Sequence, residues 1–204
     1  FNAEQKALNG KLTIQMGVVN TSTDRELVNR DIFNWANVIP PYIRIKQADG
    51  PDNPVYQYNY QNPVIYQNSI LTTVREKLAL EYGTVNYKVF KDLTVGVTGS
   101  LSKFNAQGSY YLPVIPGANN LNSGRKSTSN RDSKKGDIHL NYLKSINKHN
   151  FTATGVYEYN YYTFDSYSAA GKGFVVDGNQ NNALQNGNAS LNQINSYKEE
   201  FKII

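Results

Sequence analysis

Apolar and polar side chains alternate along several stretches of the chain, which is the pattern of β-strands with one apolar and one polar face. Six strands are predicted, at 11–19, 75–90, 93–102, 136–143, 151–162 and 194–204. The clearest apolar positions are Leu12, Ile14, Met16, Leu93, Val95, Val97, Ile138 and Leu140. The polar positions that alternate with such rows include Thr94, Thr98, His139, Asn141, Glu158 and Asn160. No stretch predicts a helix, so the fold class is all-β.

The alternation in 75–90 changes phase at Gly83. Leu80 and Tyr82 precede the glycine on one face, whereas Val85 and Tyr87 follow it on the other. An extra residue in one strand would produce such a change, so we predict a β-bulge at or near Gly83.

The connections between the predicted strands differ in length in a regular order. Long irregular loops are predicted at 25–72, 109–135 and 168–193, with short turns at Lys91–Asp92 and 144–150 between them. Every second connection of an antiparallel meander lies at the same end. Short turns at one end and long loops at the other are typical of outer-membrane barrels. The pattern therefore predicts a partial antiparallel transmembrane β-barrel, with apolar rows in lipid and polar rows lining the lumen.

The composition excludes several kinds of structure. Hydrophobic residues make up 39% of the chain and charged residues 18%, and no run of eighteen consecutive apolar residues exists, which excludes a transmembrane helix. Without cysteine the chain has no disulfide and no thiolate metal site. It starts at Phe1 and stops within a predicted strand, "EEFKII". We therefore expect an internal fragment of a larger protein.

The formal charge of +5 is concentrated in one stretch, 124–136, where five cations accompany one acid, Asp132. In a barrel these cations would be able to pair with the phosphates of lipopolysaccharide at the membrane border. The alternative is a solvated loop. No nucleic-acid partner is predicted.

Catalytic patterns are missing from the sequence. His139 and His149 have no cysteine or paired carboxylates at ligand spacing, no G-x-S-x-G motif occurs, and "GKGF" at 171 lacks the strand-to-helix context of a phosphate loop. We therefore predict neither an enzyme nor a cofactor or metal.

Aromatic residues beside Asn and Gln in the long loops are typical of sugar-binding surfaces. The candidates for contact with a ligand or a lid are Trp35, Tyr56, Tyr58, Tyr60, Tyr110 and Tyr111. Packing within the loops is the alternative. Tyr also clusters near strand ends, which fits either an interfacial girdle or cross-strand aromatic pairs.

The ordered succession of "KALNGKLTIQMGVVNT", "NPVIY", "YKVFKDLTVGVTGSLSKFNAQGSYYLP", "LNYLKSINKHNFTATGVYEYNYY", "GKGFVVDG" and "SYKEEFKI" resembles the barrel of SusC-like (RagA/SusC-type) TonB-dependent outer-membrane transporters of Bacteroidetes. This resemblance extends over nearly the whole chain. It implies part of a 22-stranded barrel around a plug, energised by the TonB complex and working with a SusD-like surface lipoprotein. The plug, the TonB box and the N-terminal domain are expected to lie outside residues 1–204.

The sequence thus predicts the barrel part of a transporter in the bacterial outer membrane that imports a nutrient, with an oligosaccharide as the expected cargo. A soluble extracellular β-rich module for glycan binding or adhesion is the alternative. Selectivity would lie in irregular loops and in the plug, so the sequence does not identify the cargo.

Overall fold

The structure is a computed structural model of the chain, and it describes residues 1–28, 31–39, 62–115 and 120–204. Seven strands form one antiparallel sheet in which each strand pairs with the next along the chain. They are β1 (Asn2–Ala7), β2 (Leu12–Glu26), β3 (Leu71–Phe90), β4 (Leu93–Leu112), β5 (Ser123–Ile146), β6 (His149–Lys172) and β7 (Gln193–Ile203). The predicted all-β meander is confirmed, with one strand more than expected.

The connections alternate in length, as predicted. Short turns at 8–11, 91–92 and 147–148 lie at one end of the sheet, the short-turn end, and the connections 27–70, 113–122 and 173–192 lie at the other, the long-loop end. The first short turn joins β1 to β2 and was not predicted. Three of its residues have positive φ, Leu8 at 54°, Asn9 at 53° and Gly10 at 81°, and of these Asn and Gly tolerate that conformation readily.

The strands are longer than the alternation indicates. β4 has 20 residues and β5 has 24, so the connection between them shrinks to residues 113–122. The prediction of a loop over 109–135 is therefore wrong, and the basic stretch 124–136 lies within β5. Its two faces are both polar, so the sequence carries no alternation there to mark a strand.

The predicted bulge at Gly83 is also wrong. Pairing continues without interruption through this residue, which lies opposite Met16 on β2 and Gly99 on β4. The shift in register between β3 and β4 lies instead between Lys88 and Phe90, next to the short turn.

Short helices occur in the long connections, although none was predicted. Helix α1 (Asp31–Val38) and helix α2 (Pro63–Ser69) follow β2, and three 3-10 segments lie between Asp177 and Leu191. The start of α2 has a local cause, because the Asn62 side chain accepts hydrogen bonds from the backbone N–H of Val64 and Ile65 at 2.9 and 3.4 Å and Pro63 fits the first turn.

Among the described residues, no helix is long and apolar enough to span a bilayer.

The sheet has little core of its own. The buried hydrophobic cluster of the described residues is a small one at the long-loop end, built on Tyr66, Ile70 and Ile115. The chain exposes 14423 Å², whereas a compact monomer of 22.9 kDa would expose about 9,600 Å². Among the described residues, little covers either face of the sheet.

Candidate functional site

The register of the sheet sorts the predicted rows onto opposite faces. Since directly paired residues of neighbouring strands share a face, all eight predicted lipid-facing positions lie on the face of Val97 and all six predicted lumen-facing positions on the face of Thr98. We call these the Val97 face and the Thr98 face. Their environments, lipid and lumen, stay predictions.

The Val97 face carries a continuous apolar area in the half of the sheet near the short turns. Val97 lies between Val85 and Ile138, and each of the three is 42 to 50% exposed. Other large apolar side chains at least 36% exposed on this area are Met16, Val18, Tyr87, Leu101, Leu140, Tyr142, Tyr157 and Tyr159. Nothing among the described residues covers this area, and a continuous set of exposed large apolar side chains is unusual for a soluble monomer.

The apolar area ends abruptly along each strand. On β4 the Val97 face continues beyond Leu101 with Lys103, Asn105 and Gln107. Across β2 and β3 it carries an ion pair in which Arg75 donates to both carboxylate oxygens of Asp24, at 2.7 and 3.2 Å. Both side chains are more than half exposed, and taking a charged pair out of water is costly, so we expect polar surroundings on this face near the long loops too.

The Thr98 face is polar near the short turns and is connected by cross-strand hydrogen bonds. The His139 ring nitrogens lie 2.8 Å from an Asp137 carboxylate oxygen and 3.0 Å from the Asn86 side-chain oxygen. The Thr154 hydroxyl donates to the Asn141 side chain at 3.1 Å. This network occupies the level at which the opposite face is apolar, which is the arrangement of a wall between lipid and a wet interior.

Towards the long-loop end, large apolar side chains also lie on the Thr98 face. Leu78, Leu80 and Tyr82 on β3 share this face with Phe104 on β4. Along the unbroken strand β3, Val85 and Tyr87 thus lie on the Val97 face, whereas Leu78, Leu80 and Tyr82 lie on the Thr98 face.

Arg131 lies at the centre of this upper apolar zone. Its guanidinium carbon is 5.8 Å from the ring centre of Phe104, 6.0 Å from that of Tyr162 and 5.9 Å from that of Phe164. Sequence reasoning assigned Arg131 only to the basic loop. The pairing of Arg131 with Phe164 could have been inferred from the turn at 147–148, because extending the β5–β6 hairpin from that turn places the two residues opposite each other.

The long connections pack onto both faces of the sheet at the long-loop end. Helix α2 lies on the Thr98 face, where Tyr66 and Ile70 pack near Tyr110 and Leu112. The connection 173–192 lies on the Val97 face, since Asn181 donates to the Ser109 hydroxyl and Lys126 donates to Asn182 at 2.8 Å.

Asn122, 2% exposed, fixes the start of the connection 173–192. Its side chain accepts from the Phe174 N–H at 2.6 Å and donates to the Phe174 carbonyl at 2.9 Å and to Asp177 at 2.6 Å. The Tyr111 hydroxyl also donates to the Asp177 carboxylate. This bond is the main reason that the pKa of Asp177 is lowered, while burial, followed by the same bond, raises the pKa of Tyr111.

Of the six predicted ligand or lid contacts, only Tyr110 and Tyr111 have side chains among the described residues, and these two lie on opposite faces of the sheet. Tyr110 lies beside α2 on the Thr98 face, and Tyr111 is 3% exposed on the Val97 face. Trp35 lies in α1, but its side chain is outside the described part of the structure. Tyr56, Tyr58 and Tyr60 lie outside the described residues. A ligand role for all six stays a prediction.

The cations of the basic stretch are divided between the two faces. Lys126 and Lys134 lie on the Val97 face, whereas Arg125, Arg131 and Lys135 lie on the Thr98 face. The five cations therefore do not form one surface, and pairing of any of them with lipopolysaccharide stays a prediction. Lys134 alone lies at the edge of the apolar area, 5.9 Å from the Tyr161 ring centre.

Within the described ranges, no group of three or more His, Asp or Glu side chains is placed to hold a metal ion.

Comparison with known proteins gives a structural match and no sequence match. No family model matches the chain, and no curated protein does. Among the solved structures, a chain in the structure of the RagAB peptide transporter matches with a TM-score of 0.77 and 19% identity. A chain of the RagAB peptide importer in its open-open state matches with a TM-score of 0.75 and 18% identity.

Both matches cover 98% of this chain but 24% of the other one, so this chain spans about a quarter of the length of the proteins it resembles. At such identity the comparison establishes the fold: the seven strands follow the path of a segment of those transporter chains. The fold that the sequence resemblance implied is thereby confirmed.

Proposed function

We propose that this chain is a segment of the barrel wall of a SusC-like transporter in the bacterial outer membrane, which imports a peptide. The observation that carries the proposal is the division of the sheet by level. Near the short turns one face is apolar and the other polar, and beyond Leu101 the Val97 face becomes polar as well. A wall that crosses a hydrocarbon layer and then enters water needs this division.

The height of the apolar area fits a membrane. On β4 it extends from Leu93 to Leu101, which at about 3.3 Å per residue and a strand tilt of about 40° gives roughly 20 Å of height. The outward apolar band of outer-membrane barrels is about 25 Å tall. In this orientation the short turns face the periplasm and the long connections face the outside.

The strands rise well beyond this band. The 24 residues of β5 extend roughly 80 Å along the strand and about 60 Å in height, twice the thickness of the hydrocarbon layer. The upper half of the sheet would therefore form an extracellular extension of the wall, with helix α2 and the connection 173–192 packed against its end and water on the rest of both faces.

The cargo proposed here differs from the one expected from the sequence. Both matching structures are described as peptide transport systems, and nothing found in the comparisons supports an oligosaccharide. We therefore propose peptide import, driven by the TonB complex through the rest of the protein and assisted by a surface lipoprotein. Peptides suit the Thr98 face, which offers apolar rings and hydrogen-bonding groups side by side.

The soluble module considered as an alternative is disfavoured by the exposed surface. The described part of the chain contains one sheet and no second layer over the apolar area of the Val97 face. A soluble module would have to leave Met16, Val97 and Ile138 in water. Burying such side chains is the dominant favourable term in folding, so exposing them in this number is costly.

The test uses the full-length protein in its native host. Outer membranes are isolated, and the protein is examined for a heat-modifiable gel mobility, which folded barrels show. Uptake of labelled peptides and of labelled oligosaccharides is then compared between cells with and without the gene. We expect an outer-membrane barrel and a loss of peptide uptake on deletion. A freely soluble protein would disprove the barrel, and a loss of oligosaccharide uptake alone would disprove the peptide cargo.

A further inference from the structure

Four residues from three neighbouring strands meet on the Thr98 face, and we call them the Arg131 cluster: Phe104, Arg131, Tyr162 and Phe164. Phe104 lies directly opposite Arg131 on β4, and Phe164 lies opposite it on β6. Tyr162 is two residues from Phe164 and so shares its face. The cluster thus follows from pairing register alone.

The rings surround the guanidinium without enclosing it. All three ring centres lie 5.8 to 6.0 Å from the Arg131 guanidinium carbon. The rings are half-buried, whereas Arg131 is exposed. Cation–π contacts of this kind hold the guanidinium in place and leave its N–H groups free to bind a partner.

The charge of Arg131 has no counter-ion among the described residues. The ion pairs there on the Thr98 face join Glu76 to Arg25 at 2.6 Å and Lys6 to Glu4 at 3.1 Å. The Asp137 carboxylate lies 2.8 Å from the His139 ring. The nearest carboxylate along the row of Arg131 is that of Glu199, one strand beyond Phe164, and it accepts a hydrogen bond from the Tyr197 hydroxyl at 3.2 Å.

The level of the cluster places it above the proposed membrane. On the Val97 face, the neighbours of Arg131 along β5 are Asn130 and Asp132, both polar and beyond the apolar area. Apolar side chains flank the cluster on its own face, with Leu78 opposite Phe104 and Phe201 opposite Tyr162. The cluster therefore lies on the wet interior of the extracellular part of the wall.

We propose that the Arg131 cluster is a cargo-binding site that takes a carboxylate of a peptide lying next to an aromatic or large aliphatic side chain. Guanidinium groups bind carboxylates through two parallel hydrogen bonds, and the rings beside Arg131 supply a surface for the neighbouring apolar side chain. This inference rests on the proposed function and adds a preference among peptides.

The test measures the binding of two defined peptides to the purified full-length transporter in detergent by calorimetry. Both probes are ten-residue Gly/Ser peptides with blocked ends, one with Phe-Glu at its centre and the other with Phe-Gln. We expect the wild type to bind the Glu peptide about tenfold more tightly, since the charge-assisted hydrogen bonds of a guanidinium and a carboxylate are roughly twice as strong as neutral ones.

The Arg131→Gln variant is expected to bind both peptides equally. Arg131→Lys keeps the charge but not the paired donors, so it should keep only part of the preference. Lys135→Gln is the matched control: it removes one positive charge from the same face of β5, four residues away and outside the cluster. We expect this variant to retain the full preference.

The outcomes separate this inference from the function on which it rests. Equal binding of both peptides by the wild type, or an unchanged preference in Arg131→Gln, overturns the site and leaves peptide transport standing. If the wild type binds neither peptide, both the proposed site and the proposed peptide transport are overturned. A drop in the melting temperature of the ligand-free Arg131→Gln transporter with no change in preference assigns Arg131 to packing against the transporter's own chain, and likewise overturns the site.

Discussion

Replacement of Val97 by arginine would place a charge in the middle of the apolar area of the Val97 face. Val97 is four residues from Leu93 and four from Leu101 along β4, and it lies between Val85 and Ile138. An arginine on the lipid face of a barrel costs about 2–4 kcal/mol at the bilayer midplane and about 0–1 kcal/mol near the interfaces. The central position of Val97 indicates the upper range.

The assay folds the full-length transporter into phosphatidylcholine vesicles and measures its unfolding in urea, with the heat-modifiable mobility shift as the readout. Gln107→Arg is the control, because Gln107 lies on the same strand and face but beyond the apolar area. It should cost less than about 1 kcal/mol. Thr98→Arg changes the next residue on the opposite face and should also cost much less than Val97→Arg. Equal losses for Val97→Arg and Gln107→Arg would refute the assignment of the Val97 face to lipid.

Three other changes test the internal contacts of the wall. Gly96→Ala should destabilise the folded barrel by about 1–3 kcal/mol in the same urea assay, because the added methyl group would meet the His139 ring and the Asn86 amide. Gly99→Ala should have little effect, since a methyl group there meets nothing within 4 Å. Equal losses of stability for the two variants would contradict the packing at Gly96. Asn122→Ala should raise the hydrogen exchange of residues 173–177, since it removes three hydrogen bonds from a buried position; unchanged exchange would show that the contact is dispensable. Tyr111→Phe should loosen the same segment at neutral pH. The fold lowers the pKa of Asp177 from 3.8, so the stabilisation by the ionised carboxylate is present above pH 3.8 and is lost as the pH falls through the lower pKa of the folded state. The difference in hydrogen exchange between wild type and Tyr111→Phe should therefore shrink in acid. A difference that grows in acid would contradict the role of the ionised carboxylate.

The sequence predicted the part of the wall in which the two faces differ most. Val95 and Val97 alternate with Thr94 and Thr98 because one face is apolar and the other polar, and a period of two reports such a contrast directly. The order of short and long connections was predictable for a related reason, since turn residues interrupt the alternation at the short-turn end.

The upper half of the wall was not predictable in the same way. Residues 123–135 of β5 are polar on both faces, so they read as a loop although they are paired throughout with β4 and β6. The residues around Gly83 led to a wrong prediction for another reason. The apolar residues of β3 change face there although the pairing is continuous, and the sequence alone does not separate this from a bulge.

The candidate site was missed because its contacts join distant parts of the chain. Phe104, Arg131 and Phe164 come from three strands, and the first two are separated by a long connection whose length does not set their register. The loop aromatics were easier to notice by composition. The short helix α2 was likewise hidden, because its formation depends on the Asn62 cap and on packing against Ile115.

The most direct test of the account is the accessibility of spin labels on neighbouring residues of β4. The chain contains no cysteine, so single cysteines introduced at Val97, Thr98 and Gln107 provide labelling sites within this segment of the full-length transporter. In lipid vesicles, a label at position 97 should be accessible to oxygen and protected from a water-soluble nickel chelate, with a lower ratio of oxygen to nickel accessibility at positions 98 and 107. A ratio at position 97 no higher than that at position 98 would contradict the claim that the Val97 face lies in lipid.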